Sequence, residues 1–188
     1  MQATERELVV EQLAHSRERL VLEVEGLTSE QRSFRPAQDR WSIADCIEHI
    51  TVLETVVLRN IQQALQSPPE PGRQDEVRGK EQIILERVPV RERRVQCPAD
   101  LMPQGRWPDF EELVRQFEAT RERSVRFSAV TQADLRNHFL PHPVLGLLDC
   151  YQWLLMVSAH CERHVRQIEE VKAHPGFPIP RQAEQAGA

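Results

Sequence analysis

Cysteine, glycine and long apolar runs are scarce in this sequence, and each scarcity excludes a class of protein. Its four cysteines contain no CxxC pair and are too few for a disulfide framework, so we expect free thiols at Cys46, Cys97, Cys150 and Cys161. Only 7 of the 188 residues are glycine, which excludes a collagen-like chain. No apolar run is long enough to span a bilayer, and MQATERELVVEQ lacks the features of a signal peptide. These absences predict a cytoplasmic protein.

An excess of positive charge is also missing. The formal net charge is -5, so the chain has no general attraction for phosphate backbones or anionic lipids, and we expect neither nucleic acid nor a membrane as a partner. The one basic run, Arg87 to Arg94, is interrupted by Glu92 and is interpreted as a solvated edge. With 40% hydrophobic and 28% charged residues, the composition is that of a globular protein. We therefore predict a single domain over residues 1–188, with an ordered core over about residues 5–174.

Four segments have the apolar periodicity of amphipathic helices. The first runs from about Glu5 to Leu27, and the second from Ser42 to about Gln66, with Asp45 in its first turn. The third has Pro108 as its first residue and ends near Ala129, and the fourth runs from about Leu147 to Ala173. Residues that recur at helical spacing and should be buried are Leu13, Leu20, Val24 and Leu27 in the first helix, Cys46, Ile47, Ile50, Leu53, Val57, Ile61 and Leu65 in the second, Phe110, Leu113, Phe117 and Ser124 in the third, and Trp153, Met156 or Val157, Ile168 and Val171 in the fourth.

The connection over residues 68–107 is the least regular part of the sequence. Proline, glycine and charge dominate there, but apolar residues from Ile83 to Val90 predict a short helix or strand. A structureless connection of this length is uncommon, so we expect local structure packed over one end of the bundle, where it could shape access to a site. Because strand signals are few and HFLPHPVLG predicts a turn, the expected fold is all-α, an antiparallel-type four-helix bundle with a long connection between its second and third helices. The order of the helices around the bundle is not fixed by sequence.

Three histidines lie at positions that should face the bundle interior. His160 and His164 are four residues apart on the apolar stripe of the fourth helix, so both imidazoles can point at one ion. His49 lies on the apolar face of the second helix, three residues after Cys46. Imidazole nitrogens suit zinc, nickel, iron or copper, and three of them would leave coordination positions for water or substrate, as in catalytic sites.

Less specific interpretations exist for each of these residues. A HxxxH pair can be partly exposed, or can be a core pair satisfied by hydrogen bonds, although burying three histidines without a partner is costly. Asp45 could orient His49 from one helical turn away, but capping the second helix is the simpler role. Cys46 and Cys161 are interpreted as small apolar fillers. The remaining histidines, His15, His138, His142 and His174, are not expected to be ligands, although His142 could lie near the mouth of the site.

Several motifs resemble the DinB-like superfamily, the damage-inducible group that includes YfiT-like metal-dependent hydrolases. WSIADCIEHI is similar to its tryptophan and inward histidine on the second helix, and HPVLGLLDC to the start of its last helix. HCERHVRQIEEVKAHPGFP resembles its closing H-x-x-x-H-x-x-Q-I signature. The resemblance implies a four-helix bundle, often a homodimer, in which His49, His160 and His164 bind nickel or zinc.

Two kinds of function are consistent with the sequence, and the resemblance bears on the first. In the first, the chain is a metal-dependent enzyme that activates water or a low-molecular-weight thiol against a small-molecule substrate, as a hydrolase or a thiol S-transferase that uses mycothiol, bacillithiol or glutathione. In the second, it is a non-catalytic metal-binding stress-response or interaction module. A metal-free helical interaction domain is a third, weaker reading. No catalytic base can be assigned, because Asp45, Glu48 and Glu162 all have plausible capping or solvated roles.

Overall fold

The protein is a bundle of four long helices, as the sequence predicts. The computed structural model describes residues 1–92 and 96–179. Its elements in chain order are α1 (Ala3–Val24), α2 (Ser29–Ser33), α3 (Ile43–Ala64), α4 (Lys80–Arg87), α5 (Phe110–Val130), β1 (Phe139–His142), β2 (Gly146–Asp149) and α6 (Cys150–Lys172). Helices α1, α3, α5 and α6 form the bundle, and none of the helices in the described ranges is long and apolar enough to cross a membrane.

The starts of α3, α5 and α6 are each marked by a side chain that accepts a hydrogen bond from a first-turn amide. Ser42 caps α3 and forms a capping box with Asp45, as predicted. Asp109 caps α5 and Asp149 caps α6, so two predicted starts are wrong. Pro108 precedes the cap of α5 instead of opening the helix, and Leu147 lies in a strand three residues before α6.

A β-hairpin replaces the predicted turn between α5 and α6. Strands β1 and β2 pair antiparallel, with Leu140 opposite Leu148 and His142 opposite Gly146. Gly146 has a φ of 70°, a left-handed conformation that glycine adopts without steric cost. Leu148 is fully buried, so the hairpin closes one end of the core.

The relative directions of neighbouring helices differ from those in a simple antiparallel bundle. Helices α1 and α3 each pack against both α5 and α6, so α1 is diagonal to α3 and α5 is diagonal to α6. One apolar cluster contains the start of α1, the end of α3 and the start of α6; the other contains the end of α1 and the starts of α3 and α5. Neighbouring helices α3 and α5 therefore run in the same direction, as do α1 and α6.

This topology explains the long connection before α5. The end of α3 and the start of α5 lie at opposite ends of the bundle, so the chain must travel the length of a 22-residue helix, about 33 Å, to join them. On the way it forms α4, which packs against α6, and a 3₁₀ turn at Ala99–Leu101, which packs against α3. The prediction of local structure is confirmed, but the segment runs along the side of the bundle and not over one end.

A polar layer crosses the middle of the bundle between the two apolar clusters. The guanidinium of Arg121 donates to both carboxylate oxygens of Glu54 at 2.9–3.0 Å, and both side chains are fully buried. Arg121 also donates to the carbonyl oxygen of Leu13 at 2.8 Å and to the hydroxyl of Ser16 at 2.5 Å. The thiol of Cys161 on α6 donates to the carbonyl oxygen of Ser16, so all four helices meet in this layer.

The predictions for the cysteines are confirmed, whereas the prediction for the basic run is wrong in part. All four cysteines are free thiols, and Cys46 and Cys161 are buried fillers as expected. The solvated-edge interpretation of Arg87 to Arg94 is wrong for Arg91, which is only 15% exposed and pairs with Glu170 on α6. Arg93 and Arg94 lie outside the described residues.

Candidate metal centre

The three histidines predicted from the sequence meet at the seam between α3 and α6. His49 extends from α3, while His160 and His164 extend from successive turns of α6. The Nε2 atom of His160 lies 3.4 Å from Nε2 of His49 and 3.3 Å from Nε2 of His164. All three potential ligand atoms lie within 4.8 Å of one another. The structure thus brings three imidazole nitrogens to one point.

The opposite ring nitrogens fix the chemical form of two histidines. His49 donates from Nδ1 to the carbonyl oxygen of Leu101 at 3.0 Å, and His164 donates from Nδ1 to Oε1 of Gln167 at 3.0 Å. Because each Nδ1 carries the proton, Nε2 keeps its lone pair in the neutral ring. The Nδ1 atom of His160 is buried and has no hydrogen-bond partner within residues 1–92 and 96–179.

Burial keeps these rings neutral. Loss of hydration lowers the pKa of His49, although its hydrogen bond to Leu101 opposes the shift. The pKa values of His160 and His164 lie well below their ordinary value, first because of burial and then because a charge on one ring repels a charge on its neighbours. The three rings are consequently neutral near neutral pH, and His49 and His164 direct their Nε2 lone pairs at the centre of the cluster.

The spacing and donor type fit a divalent cation. Three nitrogens about 2.0–2.1 Å from an ion at tetrahedral angles lie about 3.3 Å apart. The observed Nε2 separations of 3.4 and 3.3 Å match that spacing. Lone pairs that face one another at this distance repel unless a proton or cation lies between them. Among the described residues, these three histidines are the only group of three or more His, Cys, Asp or Glu side chains whose ligand atoms lie close enough together to hold a metal ion.

An indole and a thiol lie beside the cluster. The ring of Trp41 is stacked on His164 with centroids 5.8 Å apart, and its centroid is 4.8 Å from that of His49. The Sγ atom of Cys97 lies 3.6 Å from Nδ1 of His49, on the side of the ring that faces away from Nε2. Burial, followed by the charge of Asp100, raises the pKa of the Cys97 thiol. Trp41 therefore forms an apolar wall, and Cys97 does not join the converging nitrogens.

The three carboxylates considered from the sequence all have structural partners. Asp45 caps α3 and pairs with Arg35, so it does not orient His49; Leu101 takes that place. Glu162 pairs with Arg19. Within the described residues, Asp45, Glu48 and Glu162 make no hydrogen bond to the histidine cluster. The backbone oxygen of Leu101 has no side-chain signature in the sequence, so its role could not be predicted.

Glu48 fastens the connecting segment to α3 beside the cluster. Its carboxylate is buried and accepts from the amides of Gln104 at 2.8 Å and Gly105 at 2.9 Å, and from Arg106 at 2.6 Å. Burial alone would raise the pKa of Glu48, but these hydrogen bonds hold it below its ordinary value. The same segment supplies Leu101, so Glu48 and His49 both bind it from α3.

The other four histidines lie outside the cluster, as predicted. His15 is exposed on α1, His174 follows α6, and both ring nitrogens of His138 face backbone carbonyl oxygens. His142, in β1, has its ring centroid 5.2 Å from that of Trp153, seven residues before His160 on α6. Through Trp153, His142 packs against α6 about two helical turns before the cluster.

Fold and site together define a class: a four-helix bundle with a histidine triad at one helix seam that could bind a metal ion. The chain belongs to the DinB superfamily, whose family model matches residues 12–168. The predicted family is therefore confirmed.

Two individual proteins are similar to this chain. The uncharacterized protein YuaE of Bacillus subtilis (strain 168) is 23% identical over 150 residues, which cover 80% of this chain and 88% of YuaE. The solved structure of YfiT from Bacillus subtilis matches with a TM-score of 0.64 at 12% identity, covering 95% of this chain and 91% of YfiT. That protein is described as a probable metal-dependent hydrolase with an unusual four-helix bundle topology. At this identity the likeness shows the shared fold.

Proposed function

We propose that this chain binds one divalent metal ion, nickel or zinc, through the Nε2 atoms of His49, His160 and His164 and is a metal-dependent enzyme. The observation that carries the proposal is the convergence of three neutral imidazole rings, in which Nε2 of His160 lies 3.4 Å from Nε2 of His49 and 3.3 Å from Nε2 of His164 and all three ligand atoms lie within 4.8 Å of one another. A cluster of this kind is costly to bury without a shared cation. YfiT, a structural neighbour, is described as a probable metal-dependent hydrolase, and this supports the same class.

A catalytic role is favoured over a structural one by the size of the ligand set. Structural zinc sites use four protein ligands, whereas catalytic sites use three and leave a position for water or substrate. The bound ion would lower the pKa of a water molecule or a thiol at that position, which supplies a nucleophile near neutral pH. His160 is partly exposed, which gives a small molecule a route to this side of the cluster.

The chain's own residues have distinct roles in this proposal. Leu101 and Gln167 hold His49 and His164 with their Nε2 lone pairs directed at the centre. Trp41 covers two of the rings and keeps bulk water from that side. Glu48 is occupied by the connecting segment, so we assign it to holding that segment and not to proton transfer.

Hydrolase and thiol S-transferase activities share the activation step and differ in the nucleophile. We propose a small-molecule electrophile as the substrate, with mycothiol, bacillithiol or glutathione as the thiol in the transferase case. The homodimer implied by the family resemblance and a cytoplasmic location remain predictions.

The nucleophile can be identified with cobalt-substituted and zinc-loaded protein. Each thiol is titrated into the cobalt form, where a thiolate bound to the ion gives a sulfur-to-metal charge-transfer band. Turnover of model esters, and of an electrophile with each thiol, is then measured for wild type, His160→Ala and the exposed-site control His15→Ala. We expect His160→Ala to lose at least about 100-fold in rate and the control to lose nothing. Absence of turnover in every assay, together with a fourth protein ligand on the ion, would contradict an enzyme and favour a non-catalytic module.

A further inference from the structure

The side-chain amide of Gln167 lies between an arginine and one histidine of the cluster. Its Oε1 atom accepts from Nη1 of Arg91 at 2.9 Å and from Nδ1 of His164 at 3.0 Å. An arginine guanidinium has donors only, so the amide atom that faces Arg91 must be the oxygen. Arg91 thus determines which end of the Gln167 amide is presented to His164.

The orientation of this amide decides the tautomer of His164. With oxygen facing Nδ1, the imidazole donates from Nδ1, and its lone pair is on Nε2, 3.3 Å from Nε2 of His160. A reversed amide would present its NH₂ group to Nδ1. That group needs an acceptor, so it favours the tautomer with the lone pair on Nδ1 and a proton on Nε2, where it opposes metal binding.

Arg91 is held in position by a second residue of α6. Its Nε and Nη2 atoms donate to the two carboxylate oxygens of Glu170 at 2.8 and 3.0 Å. This two-point contact fixes the plane of the guanidinium and leaves Nη1 directed at Gln167. His164, Gln167 and Glu170 recur at intervals of three residues, so they lie along one side of α6.

We propose that Arg91 is a positioning residue for the metal centre: it orients the Gln167 amide and thereby holds His164 in the tautomer that offers Nε2 to the ion. The predicted effect of Arg91 on zinc affinity rests on the proposed metal ligation. The tautomer itself is a property of the metal-free protein. Arg91 belongs to the connection between α3 and α5, so the path of that connection along the bundle becomes part of the site.

Two readouts test the proposal. Long-range ¹⁵N–¹H NMR of the metal-free protein at pH 8 reports which nitrogen of His164 carries the proton, and a competition titration reports the zinc dissociation constant. In wild type we expect the proton on Nδ1. In Arg91→Met we expect a shift toward Nε2 protonation and zinc binding weaker by about 10- to 100-fold, the range typical of lost outer hydrogen bonds to metal ligands.

A rescue variant separates positioning from general support of the fold. A carboxylate has an acceptor on both oxygens, so Gln167→Glu should hold the Nδ1 proton whether or not Arg91 is present. Arg91→Met/Gln167→Glu should therefore recover the wild-type tautomer and most of the zinc affinity. The matched control is Arg115→Met, which removes an exposed ion pair on α5 and should change neither readout.

The possible outcomes distinguish a failure of this inference from a failure of the proposed function. An unchanged His164 tautomer in Arg91→Met, or a loss that Gln167→Glu does not restore, overturns the positioning role. Wild-type protein that binds no zinc contradicts the proposed function, while a tautomer shift in the same samples would still support the role of Arg91.

Discussion

Each histidine of the cluster has an inward register, and two of them, His49 and His164, also have a hydrogen-bond partner for the second ring nitrogen. The spacing of His160 and His164 and the inward position of His49 could be predicted because helical periodicity fixes the face of each residue. The partner of His49 could not, since it is a backbone oxygen of Leu101 in an irregular segment. Gln167 belongs to the H-x-x-x-H-x-x-Q-I signature of the sequence. Its function depends on Arg91, however, which is 76 residues away in sequence.

Burial of the cluster predicts a specific loss of stability at mildly acidic pH in the metal-free protein. The three pKa values are lowered in the folded state, so below the ordinary histidine pKa of about 6.5 the unfolded chain binds more protons. The free energy of unfolding should fall by about 1.4 kcal/mol per pH unit for each histidine that stays neutral in the fold. Urea denaturation in a chelator between pH 7 and 5 measures this slope.

Variants test whether the histidine cluster causes this pH dependence of the free energy of unfolding. His49→Gln/His160→Gln/His164→Gln should flatten it, whereas the exposed control His15→Gln should leave it as in wild type. Glu48 contributes at lower pH, because its lowered pKa makes its stabilisation disappear only as pH falls through the carboxylate range. An equal slope in wild type and the triple variant would show that the cluster is not held neutral by the fold.

At the scale of elements, the helices were easier to predict than their boundaries. Ser42 and Asp45 form the predicted capping box, but the apolar run from Leu145 to Leu155 does not distinguish strand from helix by periodicity. The start of α6 has its own signal in the pair Asp149 and Gln152, which form a second capping box. Cap residues give the register of a helix start more sharply than hydrophobic spacing does.

The segment at residues 96–106 should loosen when Glu48 loses its charge. Hydrogen bonds to a charged group contribute about 1.5–3 kcal/mol, so Glu48→Gln should speed hydrogen exchange at the amides of Gln104 and Gly105 by about tenfold or more. Exchange is followed by NMR, with Glu118→Gln as a control on an exposed ion pair. Unchanged exchange at both amides would mean that other contacts hold this segment.

At the scale of the whole molecule, the direction of the helices explains why an irregular segment lies against the site. Helices α3 and α5 run the same way, so their connection travels along the bundle and reaches α3 and α6 beside the histidines. Hydrophobic periodicity shows which face of a helix is buried but not which neighbour covers it. The sequence therefore predicted four helices and the triad, but not the topology that places Arg91 and Leu101 beside it.

The central polar layer should be far more sensitive to a single replacement than to a paired one. Arg121→Met leaves the Glu54 carboxylate buried without a counter-ion, and removal of one partner of a buried ion pair costs about 3–5 kcal/mol. Glu54→Leu/Arg121→Met removes both charges and should recover most of that loss. Urea denaturation of wild type, Glu54→Leu, Arg121→Met and the double variant gives the coupling. Additive losses would show that the two side chains contribute independently.

The most direct test of the metal centre is the metal content of protein purified without a histidine tag. Elemental analysis and anomalous diffraction should find one nickel or zinc ion per chain, bonded to Nε2 of His49, His160 and His164. His49→Ala and His160→Ala should lose the ion, while His15→Ala should keep it. Protein without stoichiometric metal, or metal content that does not change in His49→Ala and His160→Ala, would contradict the account.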